Sequence, residues 1–310
     1  MRADAEQADD AIRQAHVRGA LLVAGAGFVF SFGALAFRAV DDASDWQYLF
    51  YRGWSVAIAM AILLSVQHGK STVDRFRRAG WRQYAAGVVL GGLFTLFVMS
   101  LARTTVAITL FMQSAAPFAA ALLAWLLLRE RVRRATWIAM GVAVVGIGIM
   151  VGGRPETGST LGVVLAAGIP IGLGIYSVLL RSAREVEPAL PALVAGVVAG
   201  SVAGLVAAVG PGLAISPHDA VLGIIGGGVL LGIGLPMFNA GHRAVPAAEV
   251  NLLLLVEVIL GSVWVWIWPG ETPSATTLLG GAVVLAAVVG MTLAADRSRS
   301  VAGSATSPVA

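Results

Sequence analysis

Cysteine is absent from the 310 residues. That excludes a disulfide framework, a thiolate metal site and a cysteine nucleophile. Charge is scarce as well: Asp, Glu, Lys and Arg make up 12% of the chain, against about 25% in soluble domains. Length alone would suggest two soluble domains, yet no polar stretch is long enough for one. Histidine occurs four times, at 16, 68, 218 and 242, each time in a loop or at the end of an apolar run. No metal-spaced His/Glu pair, nucleophile elbow or phosphate-binding P-loop appears. An intramembrane enzyme, such as a lipid-modifying one, would gather such groups at one depth, so the sequence speaks against that class. A cleaved signal peptide is not expected either, because "MRADAEQADDAIRQAHVRG" is mixed in charge and long before the first apolar run.

What is present is apolar sequence. Hydrophobic residues are 58% of the chain and mean hydropathy is +0.85. A hydrocarbon core takes about 20 mostly apolar residues per helix. Ten runs meet that need: 19–38, 46–67, 83–102, 104–128, 136–152, 160–180, 190–210, 219–240, 247–268 and 276–295. The thirty-eight glycines often fall at small-xxx-small spacing, which lets membrane helices approach closely. The expected fold class is an all-α integral membrane protein with ten transmembrane helices.

The pI of about 10.1 points to topology and not to nucleic acid, because the basic residues come in short bursts between apolar runs. With the N-terminus placed in the cytoplasm, seventeen Lys and Arg fall on the cytoplasmic side and three on the other, Arg38, Arg103 and Arg154. Both termini are therefore expected inside.

The halves can be laid on each other. "PFAAALLAWLLLRE" (117–130) and "VILGSVWVWIWPGE" (258–271) are related by an offset of 141. Each is followed by a threonine, Thr136 or Thr277, and a Gly-rich helix. Gly92 and Arg103 match Gly232 and Arg243 at 140, and Arg38 matches Arg181 at 143. Five spans is an odd number, so the second copy enters the membrane the other way up. The expected organisation is a cytoplasmic segment 1–18, a five-helix repeat 19–152, a linker 153–159, an inverted repeat 160–295 and a cytoplasmic tail 296–310. Inverted repeats of this kind build secondary transporters, with the substrate near the midplane.

"FVFSFGALAFRAV" in the first span, "YLFYRGWSVAIAM" entering the second, and the paired blocks ending "AWLLLRE" and "WVWIWPGE" carry a family resemblance. The sequence resembles the bacterial drug/metabolite transporters with two EamA repeats, over about residues 19–295. The resemblance implies ten helices, cytoplasmic termini in the bacterial inner membrane, and a central cavity lined by spans 1–4 and 6–9. It also implies export of amino acids or related metabolites, with the lipid bilayer as surroundings and no cofactor. Family members often have proline directly after the ninth-span Glu, where this chain has Val258; Pro117 keeps its counterpart in the first half. The signal for a kink is accordingly weaker in span 9 than in span 4.

Glu257 stands alone in "LLLLVEVILGSVWVWIW" (252–268). An ionisable group at mid-membrane costs about 2.5–3.5 kcal/mol to insert, which makes it a candidate functional residue. Its helix face continues through Gly261 and Trp264, the latter placed to stack on an organic substrate. Its mate in the first half is Ala116, so the repeat does not require the acid. The structural alternative is a Glu paired with a neighbouring helix. Arg52, whose mate is Ala195, is the second asymmetric charge: it binds a substrate carboxylate, pairs with an acid or snorkels to the interface. Thr105, Thr109 and Gln113 form a polar stripe on span 4. Pro236 and Asn239 share one on span 8, and Pro170, Gly174 and Ser177 on span 6 lie beside Tyr176. The expected substrate-binding or coupling residues are Glu257, Arg52, Gln113, Thr109, Asn239, Tyr176 and Trp264, with protons as a coupling ion. A non-transporting membrane interaction protein is the remaining alternative, and the mid-membrane charge argues against it.

Overall fold

A computed structural model describes residues 2–129, 132–152, 159–183, 187, 189–242 and 244–305. Regular structure among the described residues is entirely helical. Lipid offers no partner for backbone N–H and C=O groups, so each crossing must satisfy its own. Ten helices are long and apolar enough to cross a membrane: span 1 (Arg13–Arg38), span 2 (Asp45–Arg78), span 3 (Trp81–Leu101), span 4 (Val106–Leu127), span 5 (Arg134–Gly152), span 6 (Thr160–Leu180), span 7 (Leu190–Val209), span 8 (Pro217–Gly241), span 9 (Glu249–Ile267) and span 10 (Ala275–Ala294). All ten coincide with the expected runs. The ends differ where polar sequence stays helical. The segment before residue 19 continues span 1 as one helix from Arg2, and the last helix runs on to Ala305. Glu130, Arg154, Arg243 and most of the linker lie outside the described residues.

Ten crossings bring the chain back to the side where it started. The two sides are called here the terminal face and the far face. The five helices that begin on the far face all open on a hydroxyl side chain that accepts a backbone N–H of the first turn: Ser44, Thr105, Ser159, Ser216 and Ser274. Such caps satisfy donors that would otherwise be orphaned at a helix start. Spans 3, 7 and 9, which begin on the terminal face, have no side-chain cap.

The two halves interleave. Span 2 packs along span 7, and span 5 along span 10. Span 3 packs on spans 6 and 7, as span 8 does on spans 1 and 2; span 4 packs on span 6, as span 9 does on span 1. Each pairing passes into another when spans 1–5 exchange with spans 6–10, a pattern consistent with a five-span repeat. Large apolar side chains such as Val66, Leu21 and Leu205 are left exposed around the outside, where a soluble protein would bury them.

Glycine makes the closest crossings. A Cβ on Gly53 of span 2 would lie 2.5 Å from the backbone nitrogen of Gly200 on span 7, while one on Gly141 would meet nothing within 4 Å. Gly53→Ala is therefore expected to lower the stability of the purified protein by about 1–3 kcal/mol through overpacking. Gly141→Ala should be neutral or slightly stabilising, since alanine is the better helix former. Thermal unfolding of the two variants side by side checks this; equal melting temperatures would contradict the packing argument.

Candidate functional site

Two of the ten spans are broken at mid-membrane. Span 4 divides into Val106–Ser114 and Ala116–Leu128, and span 9 into Ala247–Leu253 and Leu255–Ile267. At the first break the Ala115 N–H bonds the Met112 carbonyl, and at the second the Glu257 N–H bonds the Leu254 carbonyl, each one residue short of α-helical spacing. Pro117 accounts for the span 4 break, because it brings no N–H for the Gln113 carbonyl four residues earlier. Span 9 breaks without proline. Its marker is Glu257, which sits in the first turn of the second half-helix, where the helix dipole favours a carboxylate.

The breaks face each other. Gln113 Nε2 donates to Glu257 Oε1 over 3.1 Å, joining the polar stripe of span 4 to the isolated acid of span 9. Gly27 of span 1 lies against the backbone here, since a Cβ on it would be 3.6 Å from the Glu257 nitrogen. On the far-face side of the pair, the two half-helices Val106–Ser114 and Leu255–Ile267 pack on each other. Among the described residues, no comparable packing joins Ala116–Leu128 to Ala247–Leu253 on the terminal side. The polar pair therefore sits where spans 4 and 9 part.

The far face above it is tied across the halves. Arg38 Nε donates to Glu271 Oε2 at 2.7 Å, while its Nη1 and Nη2 donate to the carbonyls of Leu101 (2.7 Å) and Thr104 (2.8 Å). Glu271 Oε1 accepts the Val106 N–H at 2.7 Å, so this carboxylate also caps the start of span 4. One ion pair thus gathers the ends of spans 1, 3 and 9 and the beginning of span 4. A second clasp forms nearby: fully buried Asp219 accepts the N–H groups of Asp41, Asp42 and Ala43. His218 lies beside Asp41 and Asp219, the one grouping of metal-ligand type among the described residues. Both Asp219 oxygens are already engaged by backbone, so its evident task is to hold the 41–43 turn. On the terminal face, among the described residues, Glu187 meets Arg75 and His68, and His16 meets Glu249.

The other expected residues are placed differently. Thr109 is fully buried and turned to span 3, within hydrogen-bond distance of Ser100 Oγ (2.8 Å). Trp264 donates its Nε1–H to Ser31 Oγ (2.9 Å) and stacks on Phe32 at 5.4 Å, so one ring face is already covered by span 1. Tyr176 and Asn239 are half-buried on spans 6 and 8. Arg52 does not snorkel: it is 5% exposed, with its guanidinium over the rings of Phe94 (5.0 Å) and Phe97 (5.7 Å) of span 3. The Arg38–Glu271 tie was not among the expected site residues. Arg38 and Glu271 are each conspicuous as a charge at the end of an apolar run, but nothing local in a sequence joins positions 233 apart.

Ten apolar crossings, with polar groups held inside at two helix breaks, define a multi-pass membrane protein. Residues 17–152 carry a domain of the EamA-like transporter family, part of the drug/metabolite transporter superfamily. Members of that family are transporters, and the match suggests a carrier of small molecules across a bilayer. The fold is similar to that of a solved crystal structure with 18% identity and a TM-score of 0.63, over 92% of this chain and 98% of that one. No curated protein matches the sequence.

Proposed function

We propose that this protein is a secondary active transporter that exports amino acids or related small metabolites across the bacterial cytoplasmic membrane by alternating access. The observation that carries the reading is the Gln113–Glu257 hydrogen bond at the facing breaks of spans 4 and 9. Broken helices at mid-membrane present backbone and side-chain polar groups to a ligand where continuous helices would present none. The terminal side of this pair is parted and the far side is packed and tied, as a carrier resting open to the cytoplasm requires. Glu257 binds a substrate ammonium or takes up a proton in the cycle, and Gln113 orients it. Tyr176 and Asn239 supply further polar groups from spans 6 and 8. One ring face of Trp264 packs against span 1, and the other shapes the wall.

The test is efflux from proteoliposomes holding the purified protein, loaded with a panel of radiolabelled amino acids under an imposed proton gradient. Protein-dependent efflux of at least one of them is expected. Efflux of none, from vesicles that contain folded protein, would overturn the assignment. The orientation has its own check. A reporter enzyme active only in the periplasm, fused after Ala295, should stay silent, and activity there would reverse the topology.

A further inference from the structure

Span 2 carries two polar groups with nothing to bond. Arg52 Nη1 and the Tyr48 hydroxyl are both enclosed, and neither has a hydrogen-bond partner. The two residues are four apart on one helix, so they share a face. No described carboxylate pairs with Arg52.

The surroundings are built around this pair. The rings of Phe94 and Phe97 cover the guanidinium. Against the same helix, span 8 loosens into a π-helical turn at Ile225–Val229, a feature that recurs at functional sites. The turn consists largely of glycine for a steric reason. A Cβ on Gly226 would fall on the Tyr48 hydroxyl, and one on Gly227 on the Arg52 carbonyl. Removing a guanidinium from water is costly unless its N–H groups are bonded. Contact with two aromatic rings offsets part of that cost but leaves Nη1 without an acceptor.

We propose that Arg52 and Tyr48 form a carboxylate-binding subsite on the transport path, with Arg52 Nη1 and the Tyr48 O–H as its two donors. The proposal rests on the transporter reading for its place in a cycle, and on the two unbonded groups for its chemistry. Two donors on one helix face suit the two oxygens of a carboxylate; a phosphate, with more oxygens and more charge, would ask for more. The depth also fits. Arg52 lies seven residues into span 2 from Asp45, and Gln113 seven into span 4 from Val106, so each sits roughly 10 Å below the far face at 1.5 Å per residue. Phe97 links the two places: it covers Arg52 and also packs against the cluster of Leu110 and Val258 beside the Gln113–Glu257 pair.

The experiment is thermal unfolding of the purified full-length protein with sodium acetate, acetamide or sodium phosphate at matched ionic strength. A ligand that binds only the folded state raises the melting temperature by mass action. Acetate is expected to raise it, and acetamide and phosphate are not. Arg52→Met should abolish the acetate response while melting, without ligand, at or above the wild-type temperature, because an apolar side chain of similar length replaces an unpaired buried charge. A structural arginine would give the opposite, a lower melting temperature. Tyr48→Phe keeps the packing and should weaken the apparent acetate affinity roughly tenfold, as the loss of one hydrogen bond to a charged group implies; it also keeps the test open should Arg52→Met fail to fold. Gly141→Ala, at a position where a Cβ meets nothing within 4 Å, should keep the full response. Equal acetate responses in wild type and Tyr48→Phe, or a phosphate response in place of acetate, overturn the subsite. Efflux without any acetate response removes the subsite and leaves the transporter standing; an Arg52-dependent acetate response without efflux does the reverse.

Discussion

Glu257→Gln should reduce proton-driven efflux from proteoliposomes to background while leaving the protein folded. The substitution keeps size and shape, and an amide at this position still accepts a hydrogen bond from Gln113. It removes only the ability to exchange a proton and to carry charge. Wild-type efflux should vary with the imposed pH gradient, and any residual efflux by the variant should not. Exchange of substrate across the membrane without net proton movement can survive, since it needs binding but no titration. An efflux rate and pH dependence equal to wild type would make Glu257 a structural residue and end the coupling hypothesis.

Glu271→Ala should open the far face. Arg38 and Glu271 are 23% and 19% exposed in their side chains, and the carboxylate serves both the guanidinium and the Val106 N–H. Removing one partner of such a pair leaves the other side's donors unmet, a loss on the order of 2 kcal/mol for a site between surface and interior. If the pair exists only while the far face is closed, that loss shifts the open-to-closed ratio by roughly thirtyfold. Leu110, buried directly below against Gly261, is a suitable reporter in a chain without cysteine. Leu110→Cys should react slowly with a membrane-impermeant thiol reagent applied from the far side. Adding Glu271→Ala should speed that reaction by a similar factor. An unchanged rate would mean that the ion pair decorates the closed state without holding it.

Much of this architecture is legible in the sequence because the bilayer leaves few alternatives. All ten crossings follow from run length and hydropathy, and Glu257 announces itself by isolation. Gln113 is visible on a polar stripe, but the same stripe holds Thr109, which turns to Ser100 instead. Helical periodicity tells which residues share a face and not which neighbour that face meets. The break in span 9 is hidden for a related reason: no proline forces it, and an acid in the first turn of a half-helix looks the same as an acid in a continuous one. Arg38 and Glu271 show what a single sequence leaves out most completely. Their partnership depends on how spans 1, 3, 4 and 9 converge.

The two breaks differ in one respect with a mechanical consequence. Pro117 can never supply an N–H to the Gln113 carbonyl, so span 4 lacks that helical hydrogen bond in every state. Span 9 has no such obstacle, since Val258 and its neighbours keep their amide hydrogens. Straightening it would restore ordinary helical spacing without stranding a donor. The pair of broken helices is then a fixed bracket facing a reversible joint, and the joint is the side that carries the carboxylate. Straightening span 9 would shift Glu257 relative to Gln113 with no change in the backbone of span 4.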